Sequence, residues 1–224
     1  MLIEEQNGNF AKPVLPAVPS SEVYLEDCVT ALKRYADNHF DLAIVDPPYG
    51  LGDKLTSGGT WSVKWQDKGA DWDKTPSKEY WEQLFRVSKN WIVFGGNYFI
   101  EHLPNCRSFI AWHKPYMDGM HSMSNVELAL TSFDRNAKKI SFNKDKGTDE
   151  RIHVCQKPVQ LYRWVLDNYA QPNDLILDTH LGSGSNRIAA HIMKMDFVGF
   201  EIDTEYFNKQ QKRFEDAAAQ TFLF

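Results

Sequence analysis

Apolar residues in this chain gather in short runs that end on a polar or glycine residue, and helical spacings separate the runs. Leu42-Ala43-Ile44-Val45 ends at Asp46, Trp91-Ile92-Val93-Phe94 at Gly95-Gly96-Asn97, Leu175-Ile176-Leu177 at Asp178, and Phe197-Val198-Gly199-Phe200 at Glu201. Such runs predict strands buried on both faces. Phe109–Trp112 and Val126–Phe133 predict two more strands. Between them, Val29, Leu32, Tyr35 and Ala36 have helical spacing, and Thr75-Pro76 suits a helix start for a helix reaching about Lys89. Pro158–Tyr169, with Val159, Leu161, Tyr162, Val165 and Leu166, predicts another helix, as do Asn186–Met195 and Asp203–Ala219. The alternation is that of an α/β domain with a mainly parallel sheet. In such sheets ligands bind outside the carboxyl ends of the strands, which is where Asp46, Gly95-Gly96-Asn97, Asp178 and Glu201 fall. One site explains that alignment better than four coincidences.

Composition narrows the classes. The 224 residues, 42% hydrophobic and 13% aromatic, suit one globular domain. Residues 1–20, with Pro13, Pro16 and Pro19, predict an extended arm, leaving 21–224 as the domain. No apolar run has the length of a membrane span, and Met1-Leu2-Ile3-Glu4-Glu5 does not read as a secretory signal. Cys28, Cys106 and Cys155 are odd in number and lack C-x-x-C spacing. They argue against disulfides or a zinc site and for a reducing, cytoplasmic setting. The seven histidines do not pair at metal-ligand spacing, so no metal is expected. The net charge of −5 does not advertise nucleic-acid binding, but basic residues cluster locally. One group spans Arg135, Lys138, Lys139, Lys144, Lys146, Arg151 and Lys157; another, Lys54, Lys64, Lys68 and Lys74, follows Tyr49.

Two segments carry candidate chemistry. Asp46-Pro47-Pro48-Tyr49-Gly50 leaves its strand with a carboxylate, two prolines that donate no N–H, and an aromatic plate. Acceptors beside a flat ring suit a planar heterocycle bearing an amino group. Asp178-Thr179-His180-Leu181-Gly182-Ser183-Gly184-Ser185 joins a strand to a helix, and Glu201 follows at the end of the next strand. Glycines admit close backbone approach, and an acid about 20 residues on accepts from ribose hydroxyls. Arg187 stands at the third glycine position of the dinucleotide fingerprint, so a nucleoside cofactor is expected without that fingerprint.

Together the segments resemble the permuted (beta-class) DNA amino-methyltransferases, which act on N6 of adenine or N4 of cytosine, most of all phage-type orphan adenine enzymes. Asp46-Pro47-Pro48-Tyr49 is similar to their D-P-P-Y signature, and His153-Val154-Cys155-Gln156-Lys157-Pro158 resembles their H-P-x-Q-K-P segment. Leu25-Glu26-Asp27-Cys28 resembles the upstream G-D-C segment, and Asn125–Ala129 the strand after the catalytic core. Thr179-His180 and Val154 depart from the family's usual Pro-Phe and Pro. The resemblance covers roughly residues 22–215.

The resemblance implies a Rossmann-like fold of S-adenosylmethionine-dependent methyltransferases, with a mainly parallel seven-stranded sheet and helices on both faces. The catalytic half would be 21–133, a short target-recognition insertion 134–152, and the cofactor half 153–224. Asp46, Pro47, Pro48 and Tyr49 would be catalytic, with Tyr49 stacking on a base flipped out of double-stranded DNA. For S-adenosylmethionine it implies Glu201 and Ile202 at the ribose, Asp178, Thr179, His180, Leu181, Gly182, Gly184 and Ser185 beside the methionine end, Lys157 and Pro158 near its carboxylate, and Asp27 with Cys28 at the adenine. Asp46 borders both sites. Asp27 also reads as a plain helix N-cap. Lys64, Lys68, Lys138, Lys139, Lys144 and Lys146 are the candidate DNA contacts. The implied setting is the nucleoid of a bacterial or phage-infected cell.

Asp46, where cytosine-amino enzymes more often have Ser, favours adenine over cytosine N4. No Pro-Cys pair is present, which disfavours a ring-carbon methyltransferase. Protein glutamine methyltransferases have Asn in place of Asp46, and a non-catalytic nucleotide- or DNA-binding module would not need the intact tetrapeptide. The insertion is short, so recognition either spreads to loops 51–74 and 116–124 or comes from a second subunit, as in a homodimer. Loop 51–74, with its glycines and Trp61, Trp65 and Trp72, is expected to close over the base.

Overall fold

The computed structural model describes residues 19–51, 73–119, 124–142, 151–153 and 155–221. The apolar runs become the middle of a sheet because their two faces both meet helices. β2 (Phe40–Val45) lies between β3 (Ser88–Phe94) and β7 (Leu175–Asp178), and β8 (Asp196–Glu201) and β1 (Ser21–Leu25) continue beyond β7, all parallel. On the other side β5 (Val126–Thr131) runs antiparallel to both β3 and β4 (Ser108–His113), and β6 (Lys138–Ser141) pairs parallel with β4.

The described sheet is mainly parallel, as expected, with β5 alone reversed, but it has eight strands rather than seven. Six of the eight correspond to the apolar runs, and β1 and β6 are the other two. β1 and β6 are edge strands, and Ser21-Glu22-Val23-Tyr24-Leu25 and Lys138-Lys139-Ile140-Ser141 show only one apolar face. β6 falls inside the segment expected to be an insertion. The reversal at β5 follows from its link to β4, where Lys114 N–H bonds Asn125 C=O at 2.7 Å, too tight for a parallel crossover.

Side-chain alternation along β2 divides the core. Leu42 and Ile44 pack with Ile92, Phe94, Ile110 and Trp112 under α3 (Val159–Tyr169) and α4 (Ser185–Ile192). Ala43 and Val45 pack with Val93, Leu177, Val198 and Phe200 under α1 (Cys28–Leu32) and α2 (Lys78–Val87). α5 (Thr204–Thr221) lies against α4 and β8. Caps set the helix starts. Ser77 Oγ accepts from Tyr80 N–H, so α2 begins after Ser77 rather than at Thr75-Pro76. Asp203 Oδ1 accepts from Tyr206 N–H at the head of α5. Arg187 lies buried on the Phe214 ring, 3.7 Å from its centroid, and donates to Ser21, Gln210 and Gln211, so its position is structural.

Strand order reverses between β2 and β7, which opens a crevice at their carboxyl ends. Asn186 Nδ2 bridges the Ile44 carbonyl (3.1 Å) and Asp178 Oδ2 (3.0 Å) and so fastens α4 to both strands there. Gly199 of β8 faces Leu181, where an added Cβ would sit 2.6 Å from Cδ2. Gly199→Ala is expected to lower stability by about 1–3 kcal/mol through overpacking, readable as a lower denaturant midpoint at unchanged slope.

Candidate active site

β2 delivers Asp46 to the crevice, and the rigid Pro47-Pro48 step turns Tyr49 back over it. Tyr49 Oη donates to Asp46 Oδ1 at 2.7 Å. Burial, then Asp46, holds that phenol well above its usual pKa, so it is a donor. Gly95, at φ +64°, makes room for the ring: a Cβ there would lie 2.3 Å from Tyr49 Cε1. Tyr98 stacks on Tyr49, centroids 4.8 Å apart and 18° between planes, and Phe99 meets it edge-on. Gly50 N–H donates to Asp73 Oδ1 at 3.0 Å, joining the chain on either side of residues 52–72.

Charge is the dominant feature of the crevice. Lys157 Nζ donates to Asp46 Oδ2 and lies 3.3 Å from Glu127 Oε2, while Lys114 Nζ donates to Glu127 Oε1 at 2.8 Å. Lys157 is buried and its ammonium lies 5.0 Å from the Phe94 ring centroid. Burial alone would lower the Lys157 pKa; Asp46 and then Glu127 more than reverse this and hold it above the usual lysine value. Glu127 is the counterpart: burial would raise it, and Lys157 followed by Lys114 brings it below its usual value. Two carboxylates and two ammoniums thus form one charge-balanced row. Lys157 was expected near a cofactor carboxylate; in this structure its partners are Asp46 and Glu127. Glu127 and Lys114 were not among the expected site residues. A lone acid inside the apolar run Val126–Thr131 and a lysine closing β4 were the signals available.

Next to this row stands Asp178 at the end of β7, accepting from His180 N–H (3.0 Å) and Asn186 Nδ2 (3.0 Å). Burial lifts its carboxyl to about 7; the two hydrogen bonds oppose the rise, and the charges of Asp46 and Glu201 add to it. Thr179 Oγ1 bonds both Tyr80 Oη (2.8 Å) and His180 Nδ1 (2.9 Å), and burial pushes His180 down to about 4, so the imidazole is neutral. Leu181 N–H bonds the Phe200 carbonyl, and Gly182 and Gly184, at φ +49° and +72°, shape the loop that ends where Ser185 opens α4. Glu201 accepts from the N–H groups of Gly182, Ile202 and Asp203, each at 2.9 Å. It ties the glycine loop to the end of β8, and Ile202 beside it is 69% exposed. His153 packs on Tyr206 and against Gly182, so the segment leading to Lys157 and Pro158 borders the same loop. Across from Glu201, Asp27 caps α1 by accepting from Thr30 N–H at 2.8 Å, and burial pushes the Cys28 thiol up to about 12.

The expected DNA-contacting lysines separate. Lys138 and Lys139 are exposed on edge strand β6, whereas Lys64, Lys68, Lys144 and Lys146, with most of the expected lid, lie outside the described residues. Among the described residues no His/Cys/Asp/Glu group could hold a metal, and no helix is long and apolar enough to cross a membrane.

A family model described as DNA methylase, for N6 and N4 enzymes, matches residues 131–212. The chain is 24% identical over 243 residues to type II methyltransferase M2.MboI of Moraxella bovis, covering 87% of each. In fold it is similar to M1.HpyAVI solved with S-adenosylmethionine (TM-score 0.59, 20% identity, 86% of this chain and 98% of that one). It is also similar to the cytosine-N4-specific PvuII DNA methyltransferase (TM-score 0.62, 12% identity, 90% and 93%). By these matches the chain is similar to N6-adenine/N4-cytosine DNA methyltransferases.

Asp178 gives a pH test. Its folded pKa lies above the unfolded carboxylate value near 3.8, so between that value and about 7 the folded state alone holds the proton. Stability from this group is therefore greatest at low pH and lost as pH rises toward 7. In urea titrations, the stability of Asp178→Asn relative to the parent is expected to grow as pH increases from about 4 to 7 and to level off above. A pH-independent difference would mean the carboxyl ionises normally.

Proposed function

We propose that the protein transfers a methyl group from S-adenosylmethionine to the exocyclic N6 of adenine in double-stranded DNA. The observation that carries this reading is Asp46 at the mouth of the crevice, hydrogen-bonded by Tyr49 and Lys157 and facing an aromatic stack.

The residues present fit the cofactor. Asp46, Asp178 and Glu201 converge closely enough for the first and last to raise the Asp178 pKa, so the crevice favours a cationic ligand. Gly182 and Gly184 leave backbone free of Cβ atoms along one wall. Asp178 to Ser185 would hold the methionine end, Glu201 and Ile202 the ribose, and Asp27 with Cys28 the adenine. Glu201 already accepts three backbone bonds, so the ribose would meet its remaining acceptor capacity. When bound, the sulfonium supplies an electrophilic methyl group that needs no further activation.

An exocyclic amine is a poor nucleophile because its lone pair is delocalised into the ring. Asp46 and the Pro47 carbonyl accept its two hydrogens and draw the nitrogen toward tetrahedral geometry. Asp46 also stabilises the positive charge that develops on nitrogen, so catalysis is alignment plus electrostatics. The base reaches this depth only when flipped from the duplex, and it then joins or replaces Tyr98 against Tyr49. Such stacking contributes roughly 1–3 kcal/mol. Exposed Lys138 and Lys139 supply phosphate contacts. Asp46 in place of Ser favours adenine. The likeness in fold to a cytosine-N4 enzyme supports N4 of cytosine as the second reading.

Nucleoside mass spectrometry of duplex DNA incubated with protein and S-adenosylmethionine is expected to show N6-methyladenine. N4-methylcytosine would select the second reading, and neither base would contradict both. Asp46→Ala is expected to slow transfer by about a hundredfold or more while calorimetry shows cofactor binding retained. Loss of cofactor binding in a folded Asp46→Ala protein would move Asp46 out of the amine-accepting role.

A further inference from the structure

Glu127 meets Lys157 through a long ion pair rather than a closed hydrogen bond. Its Oε1 takes Lys114, but Oε2 is buried with no hydrogen bond closed on it, and Lys157 Nζ stands 3.3 Å away with its bond made to Asp46 instead. Lys157 is thus shared by two carboxylates, with its closer contact on Asp46 and its longer one on Glu127, so a small side-chain shift would reverse that order.

We propose that Glu127 is the second seat of the Lys157 ammonium: when the target amino group arrives at Asp46, Lys157 passes from Asp46 to Glu127. The inference rests on the amine-accepting role of Asp46 given above and deepens it. In this structure both oxygens of Asp46 are engaged, Oδ1 by Tyr49 and Oδ2 by Lys157. An ammonium seated on Oδ2 draws charge from the oxygen and occupies its best approach, so the carboxylate is a poorer acceptor for an incoming N–H. A shift of the ammonium toward Glu127 frees Oδ2 and closes the existing 3.3 Å ion pair to Glu127 Oε2 into a hydrogen bond in one step. No charge enters or leaves, because the row keeps two carboxylates and two ammoniums.

The fold provides one seat within the sheet and one arm that reaches it from outside the sheet. Glu127 is set opposite Trp112 in the β4–β5 register, and Lys114 lies 5.6 Å from the Trp112 ring centroid, so the Glu127–Lys114 pair is built into the sheet. Lys157 reaches in from the irregular segment ahead of α3 on a flexible stem, past the faces of Phe94 and Tyr49 at 5.0 and 5.9 Å. Glu127 and Lys114 are thus positioning residues that act through Lys157.

The test is single-turnover methyl transfer at saturating cofactor and DNA, with cofactor affinity measured separately by calorimetry. Glu127→Gln keeps the shape and an acceptor oxygen but removes the charge that draws Lys157. The expected result is a transfer rate lower by on the order of tenfold or more, with cofactor affinity unchanged. The double variant Glu127→Gln/Lys114→Gln leaves no stranded ammonium on β4. It is expected to be as slow as the single variant, and it serves alone where the single variant does not fold. A parental rate in either variant would show that Glu127 only neutralises Lys114 and would overturn the proposal. Parallel loss of rate and cofactor affinity would instead assign Lys157 to the cofactor and also overturn it. A crystal structure with an adenine oligonucleotide should show Lys157 on Glu127; Lys157 still seated on Asp46 Oδ2 would contradict the transfer. Absence of any methylated nucleoside with the parental protein is the separate outcome that defeats the underlying function.

Discussion

The constraint on which this crevice depends is like charge at close quarters. Parallel strands β2, β7 and β8 deliver Asp46, Asp178 and Glu201 to one edge, and Glu127 approaches from β5. Each acid is compensated differently. Asp46 and Glu127 share Lys157, with Lys114 completing the balance. Glu201 is satisfied by three backbone N–H groups. Asp178 has hydrogen bonds but no cation among the described residues, and its burial raises its affinity for a proton. The wall nearest the glycine loop is therefore the part of the site with negative charge still to be met, and the wall nearest Tyr49 is already neutral. A cationic donor and a neutral base are the ligands that suit those two walls.

Breaking a buried ion pair costs more than the pair contributes, because the surviving charge is stranded. Lys157, at 4% side-chain exposure, cannot simply leave Asp46 for water. It needs another carboxylate within reach, and Glu127 is that carboxylate. The same reasoning explains why the crevice lies between the two helical layers: the sheet core that excludes water also makes each uncompensated charge expensive.

The central strands were legible in the sequence because burial on both faces leaves a continuous apolar run, as in Leu42–Val45 and Leu175–Leu177. Their carboxyl-end residues followed at once. The edge strands were not legible, since Ser21–Leu25 and Lys138–Ser141 bury one face or less. The antiparallel course of β5 is a property of its link to β4 rather than of its composition. Asp27 and Ser77 show how local chemistry competes: the first caps α1, and the second supplants Thr75-Pro76 as the start of α2. The charge row escaped the sequence because its members are brought together only by the fold; Asp46 and Lys157 are 111 residues apart.

The central claim, that a carboxylate-lined crevice methylates a base amino group in DNA, is tested most directly by long-read sequencing of DNA from cells expressing the protein. The account predicts modified adenines confined to one short sequence context, absent when Asp46 is replaced by alanine. Unmodified DNA, or the same modification with the Asp46→Ala protein, would contradict it.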